Sequence, residues 1–85
     1  MSRHHATEIS LSEIPSGESV TLRRFNPQKG YGFTNRLVSL GFTPGVTIEM
    51  LQNYWYGPLV VSVRGTRVAL GRQEAKSVFV ERFIR

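Results

Sequence analysis

The stretch from Arg36 to Gly45 constrains the fold most, because it contains a helix pattern followed at once by residues that end a helix. Phe33, Leu37 and Leu40 are spaced i, i+4 and i+7, which predicts a short helix with one apolar stripe facing a core. Gly41 follows the last apolar position, where a left-handed C-terminal cap costs least. A Pro-Gly pair then turns the chain toward a strand. We therefore predict a helix, an abrupt stop and a turn, with both leucines in the core.

Short segments with alternating apolar and polar residues occupy most of the remaining chain, which is typical of strands. The predicted strands cover residues 18–25, 46–54, 59–64, 67–70 and 78–81, and the predicted helix covers residues 32–40. Five short strands and one helix in a chain of 85 residues predict a single, mainly β domain, folded as a compact antiparallel barrel.

The amino-terminal residues predict a tail followed by a capped turn. Residues 1–8 lack periodicity, so we expect them to form a flexible tail and residues 9–85 to form the domain. Ser10 and Glu13 fit a capping box, in which the hydroxyl of Ser10 meets the backbone at Glu13 and the carboxylate of Glu13 reaches back. The apolar side chains of this one-turn element would cover the core.

A hairpin is predicted near residue 65. Gly65 and Thr66 fit a two-residue type II′ loop, with glycine in the first position. This register would make Arg64 and Arg67 cross-strand neighbours. Like charges directly opposite each other destabilise a sheet, so an acid or an anionic ligand would be expected between them.

Three of these motifs, in this order and spacing, resemble the FeoA domain family. Residues 36–45 read Arg-Leu-x-x-Leu-Gly-Phe-x-Pro-Gly, residues 11–18 resemble the opening of the family, and residues 61–70 resemble its late hairpin. The resemblance extends from Leu11 to Glu81. It implies an SH3-like, five-stranded antiparallel barrel with one short helix.

The resemblance also implies a function in bacterial ferrous iron transport. FeoA-type proteins are small cytosolic accessory proteins, so the chain is expected to be a cytoplasmic regulator that binds the FeoB permease or its G-protein domain. No catalysis and no cofactor are implied. Two positions depart from the family: residues 54–58 read Tyr-Trp-Tyr-Gly-Pro where the family usually has Pro-Leu-Gly-Asp-Pro, and Gly71 stands where a basic residue is common.

The residue inventory argues against enzymatic chemistry and against membrane insertion. The chain has no cysteine and no aspartate, and its two histidines are adjacent in the predicted tail, so no catalytic triad can be assembled. No apolar run approaches the roughly 20 residues that a membrane-spanning helix needs. The first residues lead into no apolar signal segment, which supports a cytoplasmic location.

Only one group of side chains could attract a transition metal ion. His4, His5 and Glu8 lie close together in sequence and carry suitable ligand types. Adjacent histidines in a flexible tail would bind a divalent ion weakly, so no physiological metal site is expected. The chain is therefore predicted to regulate metal transport rather than to carry metal.

Tyr54, Trp55 and Tyr56 form the most unusual local feature. Three consecutive aromatic side chains cannot all face inward in a strand, because successive side chains alternate, so at least one is predicted to be exposed. An exposed aromatic would suit docking to a protein or stacking on bases. The alternative is that Trp55 folds over the barrel mouth and leaves only the tyrosine hydroxyls in water.

The formal net charge of +5 favours an acidic partner. Arg36, at the start of the central motif, has two possible roles. It either contacts a partner or makes a structural contact, by neutralising the end of its helix or pairing with a nearby glutamate. The candidate partner-binding residues are Tyr54, Trp55, Tyr56, Arg36, Arg64 and Arg67. Self-association through an uncovered barrel edge is a further expectation.

Two other functions fit the sequence. A small basic barrel could bind nucleic acid through a phosphate-tracking stripe, although the FeoA reading expects no nucleic acid. That stripe would consist of Arg23, Arg24, Arg64, Arg67 and Arg72. The chain also resembles the SH3-like tail of iron-dependent repressors of the DtxR type, but no helix-turn-helix precedes Leu11.

Overall fold

Six antiparallel strands form one sheet in residues 8–83, the part of the chain that this computed structural model describes. In chain order the strands are β1 (Glu8–Ser10), β2 (Ser19–Phe25), β3 (Thr47–Gln52), β4 (Leu59–Val63), β5 (Thr66–Leu70) and β6 (Val78–Arg82). The helices are α1 (Gly30–Ser39) and α2 (Arg72–Lys76), and one-turn 3-10 helices cover Leu11–Glu13 and Pro27–Lys29. The strand order in the sheet is β1-β6-β2-β3-β4-β5.

The predicted mainly β, antiparallel architecture is confirmed, but the described residues contain six strands rather than five. The additional strand is β1, which lies antiparallel to residues 79–81 of β6. Glu8, placed at the end of the predicted tail, is its first residue. Three residues carry too short an alternation to indicate a strand, so this strand depends on pairing with the distant β6.

The carboxyl end of α1 is closed as the sequence predicts. Gly41 has a left-handed backbone, with φ 105°. Its N–H donates to the carbonyl of Val38 (2.9 Å), and the N–H of Phe42 donates to the carbonyl of Leu37 (3.0 Å). These two bonds define a Schellman motif, which satisfies carbonyls that a helix end would otherwise leave free.

The predicted apolar stripe of α1 is only partly correct. Leu37 is fully buried and Phe33 packs against the core, but Leu40 is 38% exposed. Leu40 is the last residue before the chain reverses at Gly41, and Phe42 turns back to fill the core position beside Leu37. The core contact predicted for Leu40 is thus made by Phe42, which lies beyond the end of the helix.

The core is filled by alternate residues of the strands. Val20 and Leu22 of β2 are fully buried, and so are Leu59, Val61 and Val63 of β4. This pattern agrees with the predicted alternation of apolar and polar residues, since strand side chains alternate between the two faces of a sheet.

The turn after β1 covers one end of the core. Leu11 and Ile14 are both fully buried, as predicted. The predicted capping box is not formed, because the hydroxyl oxygen of Ser10 accepts from the N–H of Ser12 (3.1 Å) rather than from that of Glu13. A 3-10 turn is tighter than an α-helix, which brings the nearer amide to the capping oxygen.

The hairpin between β4 and β5 has a different register from the one predicted. Val63 lies opposite Thr66, and Ser62 lies opposite Arg67, so Arg64 and Gly65 are the two loop residues. Their φ values of 52° and 82° identify a type I′ turn rather than type II′. Arg64 and Arg67 are therefore not paired, and the predicted like-charge repulsion does not arise.

Strand β3 ends earlier than the sequence suggests. It covers Thr47–Gln52 instead of residues 46–54, and its pairing with β4 shifts between Met50 and Gln52. This irregularity bends the strand, so the chain leaves the sheet at Asn53.

Neither helix within residues 8–83 is long and apolar enough to cross a membrane.

Candidate partner-binding site

Residues 53–58, which we call the aromatic loop, join β3 to β4 and present three aromatic side chains to solvent. Tyr54, Trp55 and Tyr56 are 59%, 57% and 71% exposed. The alternative in which Trp55 folds over the barrel mouth is therefore wrong. Three neighbouring aromatic side chains that remain more than half exposed form an apolar surface suited to contact with another molecule.

The backbone of the aromatic loop is held in an unfavourable conformation. Trp55 has φ 71°, in the left-handed region that bulky residues rarely adopt. Such a conformation costs about 1–2 kcal/mol for a residue that has a Cβ atom. Gly57, with φ 71°, adopts a similar conformation without that cost. Strain of this kind persists only where surrounding contacts hold the backbone in place.

Most of those contacts come from the side chain of Asn53, a buried residue that is only 3% exposed. Its amide nitrogen donates to the carbonyls of Ser12 (3.1 Å) and Ile14 (2.8 Å). Its amide oxygen accepts from the N–H of Trp55 (2.9 Å) and from Nη2 of Arg72 (2.7 Å). All four hydrogen-bonding positions of the side chain are thus used.

The main chain of Asn53 is also fixed. Its N–H donates to the hydroxyl of Ser16 (2.8 Å), which in turn donates to the carbonyl of Asn53 (3.4 Å). Asn53 therefore joins the aromatic loop to the turn that covers the core. Sequence reasoning missed this role because Asn53 was assigned to a strand; an asparagine two residues before a loop amide is the signal that favours such a turn.

Arg72, at the start of α2, reaches the far end of the same loop. Its Nε donates to the carbonyl of Gly57 (3.2 Å), while its Nη2 donates to Asn53. One guanidinium group therefore spans the loop from its first residue to its fifth. Arg72, a member of the predicted phosphate-tracking stripe, thus uses two of its five donors within the protein.

Arg36 makes the structural contact that was one of its two predicted roles. Its Nη2 pairs with Oε2 of Glu74, so the side chain links α1 to α2. Glu74 also accepts from the N–H of Gly71 (2.9 Å). That backbone hydrogen bond, together with the pairing with Arg36, lowers the pKa of Glu74.

Two further members of the predicted basic stripe are engaged in ion pairs. Arg23 lies 3.5 Å from Glu81, and Arg24 lies 3.1 Å from Glu8. The guanidinium of Arg24 also stacks over the ring of Phe79, 4.4 Å from its centroid. These contacts neutralise much of the charge that a phosphate backbone would require.

Arg64 and Arg67 remain exposed and have no ion pair within residues 8–83. They lie at the hairpin end of β4, whereas the aromatic loop precedes the other end of that strand. A strand of five residues is about 15 Å long. Tyr54, Trp55 and Tyr56 therefore share a loop at one end of β4, while Arg64 and Arg67 lie at its other end.

The candidate metal ligands are not assembled in the described part of the chain. Residues 8–83 contain no group of three or more histidine, cysteine, aspartate or glutamate side chains that could hold a metal ion. Glu8 pairs with Arg24 instead, and His4 and His5 lie outside the described residues. A cleft of about 420 Å³ beside α1 is lined by Pro27, Gly30, Tyr31 and Thr34, none of which is acidic or basic.

Comparisons with known proteins support the resemblance to the FeoA family that the sequence motifs indicate. The model of the FeoA domain family matches residues 9–82. "Putative Fe(2+) transport protein A" of Methanocaldococcus jannaschii is 34% identical over 71 residues, which cover 84% of this chain and 83% of that protein.

Solved structures of FeoA proteins share the fold. A crystal structure of iron uptake regulatory protein (FeoA) has a TM-score of 0.80 and 32% identity, and the match covers 91% of this chain and 99% of that chain. Stenotrophomonas maltophilia FeoA, an SH3 domain protein solved in complex with zinc, has a TM-score of 0.75 and 33% identity, covering 85% of this chain and 88% of that chain. The predicted SH3-like architecture is therefore confirmed. This chain belongs to the FeoA family, which is associated with ferrous iron transport.

Proposed function

We propose that this protein is a cytoplasmic accessory protein of ferrous iron transport, which acts by binding the cytosolic G-protein domain of the FeoB permease and catalyses no reaction itself. Membership of the FeoA family supports the transport system. The exposed aromatic loop supports the mode of action, because it offers a contact surface where an enzyme would need a cleft with converging reactive groups.

The observation that carries this proposal is the exposure of Tyr54, Trp55 and Tyr56 on a loop whose backbone is fixed at both ends. Tryptophan and tyrosine are the residues that most often dominate the energy of a protein interface, because each buries a large area with few rotatable bonds. Burial of the exposed part of these rings against a partner would stabilise the complex through the hydrophobic effect.

A binding assay with matched variants tests the proposal. The full chain and the cytosolic region of FeoB are mixed at physiological salt, and the dissociation constant is measured. We expect Trp55→Ala to weaken binding at least 30-fold, since truncating an interface anchor costs about 2 kcal/mol or more. Tyr31→Ala is the control, because Tyr31 is an aromatic residue near the start of α1 that is 86% exposed, more than Trp55 at 57%.

The control should bind like the wild-type protein. Absence of binding by the wild-type protein would contradict the proposed partner. Equal binding by the wild-type protein and Trp55→Ala would contradict the proposed surface.

Nucleic-acid binding is the second candidate, and it draws support from the net charge of +5. It is less well supported, because Arg23, Arg24 and Arg72 make contacts within the protein, and of the predicted stripe only Arg64 and Arg67 make no such contact in the part of the chain from residue 8 to residue 83. A salt titration separates the candidates. Binding to a single-stranded oligonucleotide would weaken steeply as salt rises, whereas docking through aromatic side chains should change little.

A further inference from the structure

Arg72 differs from the other arginines that make contacts in residues 8–83. Arg23, Arg24, Arg36 and Arg82 each pair with a glutamate. Arg72 instead directs its donors to the neutral oxygens of Asn53 and Gly57. These acceptors belong to the first and fifth residues of the aromatic loop, and they lie 19 and 15 residues before Arg72 in the chain.

Limited apolar packing is available to hold the aromatic loop in place, because each of its aromatic residues is more than half exposed. Its three aromatic side chains are largely in water, and the backbone of Trp55 is in a region that disfavours a bulky residue. Polar contacts to Asn53 and Arg72 are therefore what keeps the loop in one conformation. Asn53 binds the loop to the buried turn at Ser12 and Ile14. Arg72 binds the loop from the surface, through Asn53 and Gly57.

We propose that Arg72 is a positioning residue for partner recognition: it holds the aromatic loop in its binding conformation before the partner arrives. A loop that is already ordered loses less conformational entropy on binding, and this gain appears as affinity without any direct contact. The inference rests on the proposed function for its partner, but the ordering of the loop is a property of the free protein.

The geometry also explains why the residue is an arginine. The two acceptors lie on different residues, and the planar guanidinium offers separate Nε and Nη2 donors to reach both. A lysine carries its three donors on one nitrogen, without the separate Nε and Nη2 positions of the guanidinium, so it matches this pair of acceptors less well. Arg72→Lys is therefore expected to restore little of the function lost in Arg72→Gln.

The ordering of the loop can be measured without a partner, because Trp55 is the only tryptophan in the chain. In Arg72→Gln we expect faster decay of Trp55 fluorescence anisotropy, stronger quenching by acrylamide, and about tenfold faster hydrogen exchange of the Trp55 amide. Arg67→Gln is the control, since Arg67 is an exposed arginine that makes no ion pair within residues 8–83. An Arg72→Gln protein with wild-type anisotropy, quenching and exchange would overturn the inference.

The effect on recognition is measured by a double-mutant cycle with the FeoB G-protein domain. We expect Arg72→Gln to weaken binding about tenfold in the wild-type background and to have little further effect in the Trp55→Ala background. A contribution to stability alone would act equally in both backgrounds. Far-UV circular dichroism at the assay temperature verifies that each variant is folded.

The outcomes distinguish this inference from the proposed function. If the wild-type protein does not bind FeoB, the proposed function fails, while the measurements on Trp55 still support or overturn the ordering of the loop. If the wild-type protein binds and Arg72→Gln binds equally well with a loosened loop, the positioning role is overturned and the proposed function stands.

Discussion

Replacing Asn53 by alanine should destabilise the fold far more than its position at the end of a strand suggests. The substitution removes the side-chain hydrogen bonds to Ser12, Ile14, Trp55 and Arg72. Ser12 and Ile14 are buried, so their carbonyls would be left without a partner. The N–H of Trp55 and the guanidinium of Arg72 lie nearer to solvent and could bind water instead.

The two buried carbonyls, of Ser12 and Ile14, determine how much stability the substitution removes. A buried polar group that loses its only partner costs about 1–3 kcal/mol, so the expected loss is about 2–6 kcal/mol. A domain of this size has a free energy of unfolding near the lower end of the usual 5–15 kcal/mol. Asn53→Ala should therefore remove a large part of the stability of the domain, and the variant should unfold at much lower urea concentration.

Urea unfolding followed by far-UV circular dichroism is the appropriate assay, because the fluorescence of Trp55 reports on the loop itself. Asn35→Ala is the matched control: Asn35 is exposed on α1, so this variant should lie within about 0.5 kcal/mol of the wild-type protein. A loss of less than about 1 kcal/mol in Asn53→Ala would refute the conclusion that this side chain supports the turn and the loop.

The remaining predictions concern the helix end and one ion pair. Leu37→Ala should lower the free energy of unfolding by about 2–5 kcal/mol, whereas Leu40→Ala should lower it by less than about 1 kcal/mol; similar losses in urea unfolding would contradict the Schellman packing. Gly41→Ala should destabilise the protein by about 1–2 kcal/mol because φ is 105° there, and an unchanged thermal midpoint would contradict this. Hydrogen bonding to Arg82 lowers the pKa of Glu18, so the pair stabilises the fold above about pH 4.3 and this contribution is lost as the pH falls through the lowered pKa. Acid unfolding should accordingly be less steep in Glu18→Gln, and identical acid profiles would exclude the pair as a source of acid sensitivity.

The sequence predicted the elements whose pattern is local. The inward faces of β2 and β4 follow from alternation, and the end of α1 follows from the conformational freedom of Gly41. What it did not predict depends on contacts between distant residues. Strand β1 exists through pairing with β6, and the buried position assigned to Leu40 is taken by Phe42 after the chain reverses.

In the candidate site, too, the local features could be predicted and the contacts between distant residues could not. Exposure of at least one aromatic residue could be argued from the alternation of strand side chains, and the structure exposes all three. The contacts that hold the loop could not be predicted from the sequence. Asn53 binds residues 12 and 14 and also Arg72, and nothing in the spacing of these residues along the chain indicates that they meet. The hairpin register was also wrong, since both Arg64-Gly65 and Gly65-Thr66 place glycine in a two-residue loop.

Mapping the contact surface by nuclear magnetic resonance tests the central claim most directly. Titration of the isotope-labelled protein with the cytosolic G-protein domain of FeoB should shift the indole N–H of Trp55 and the amides of residues 54–57 first and most. Shifts centred on the hairpin at Arg64 and Gly65, with the signals of the aromatic loop unchanged, would contradict it.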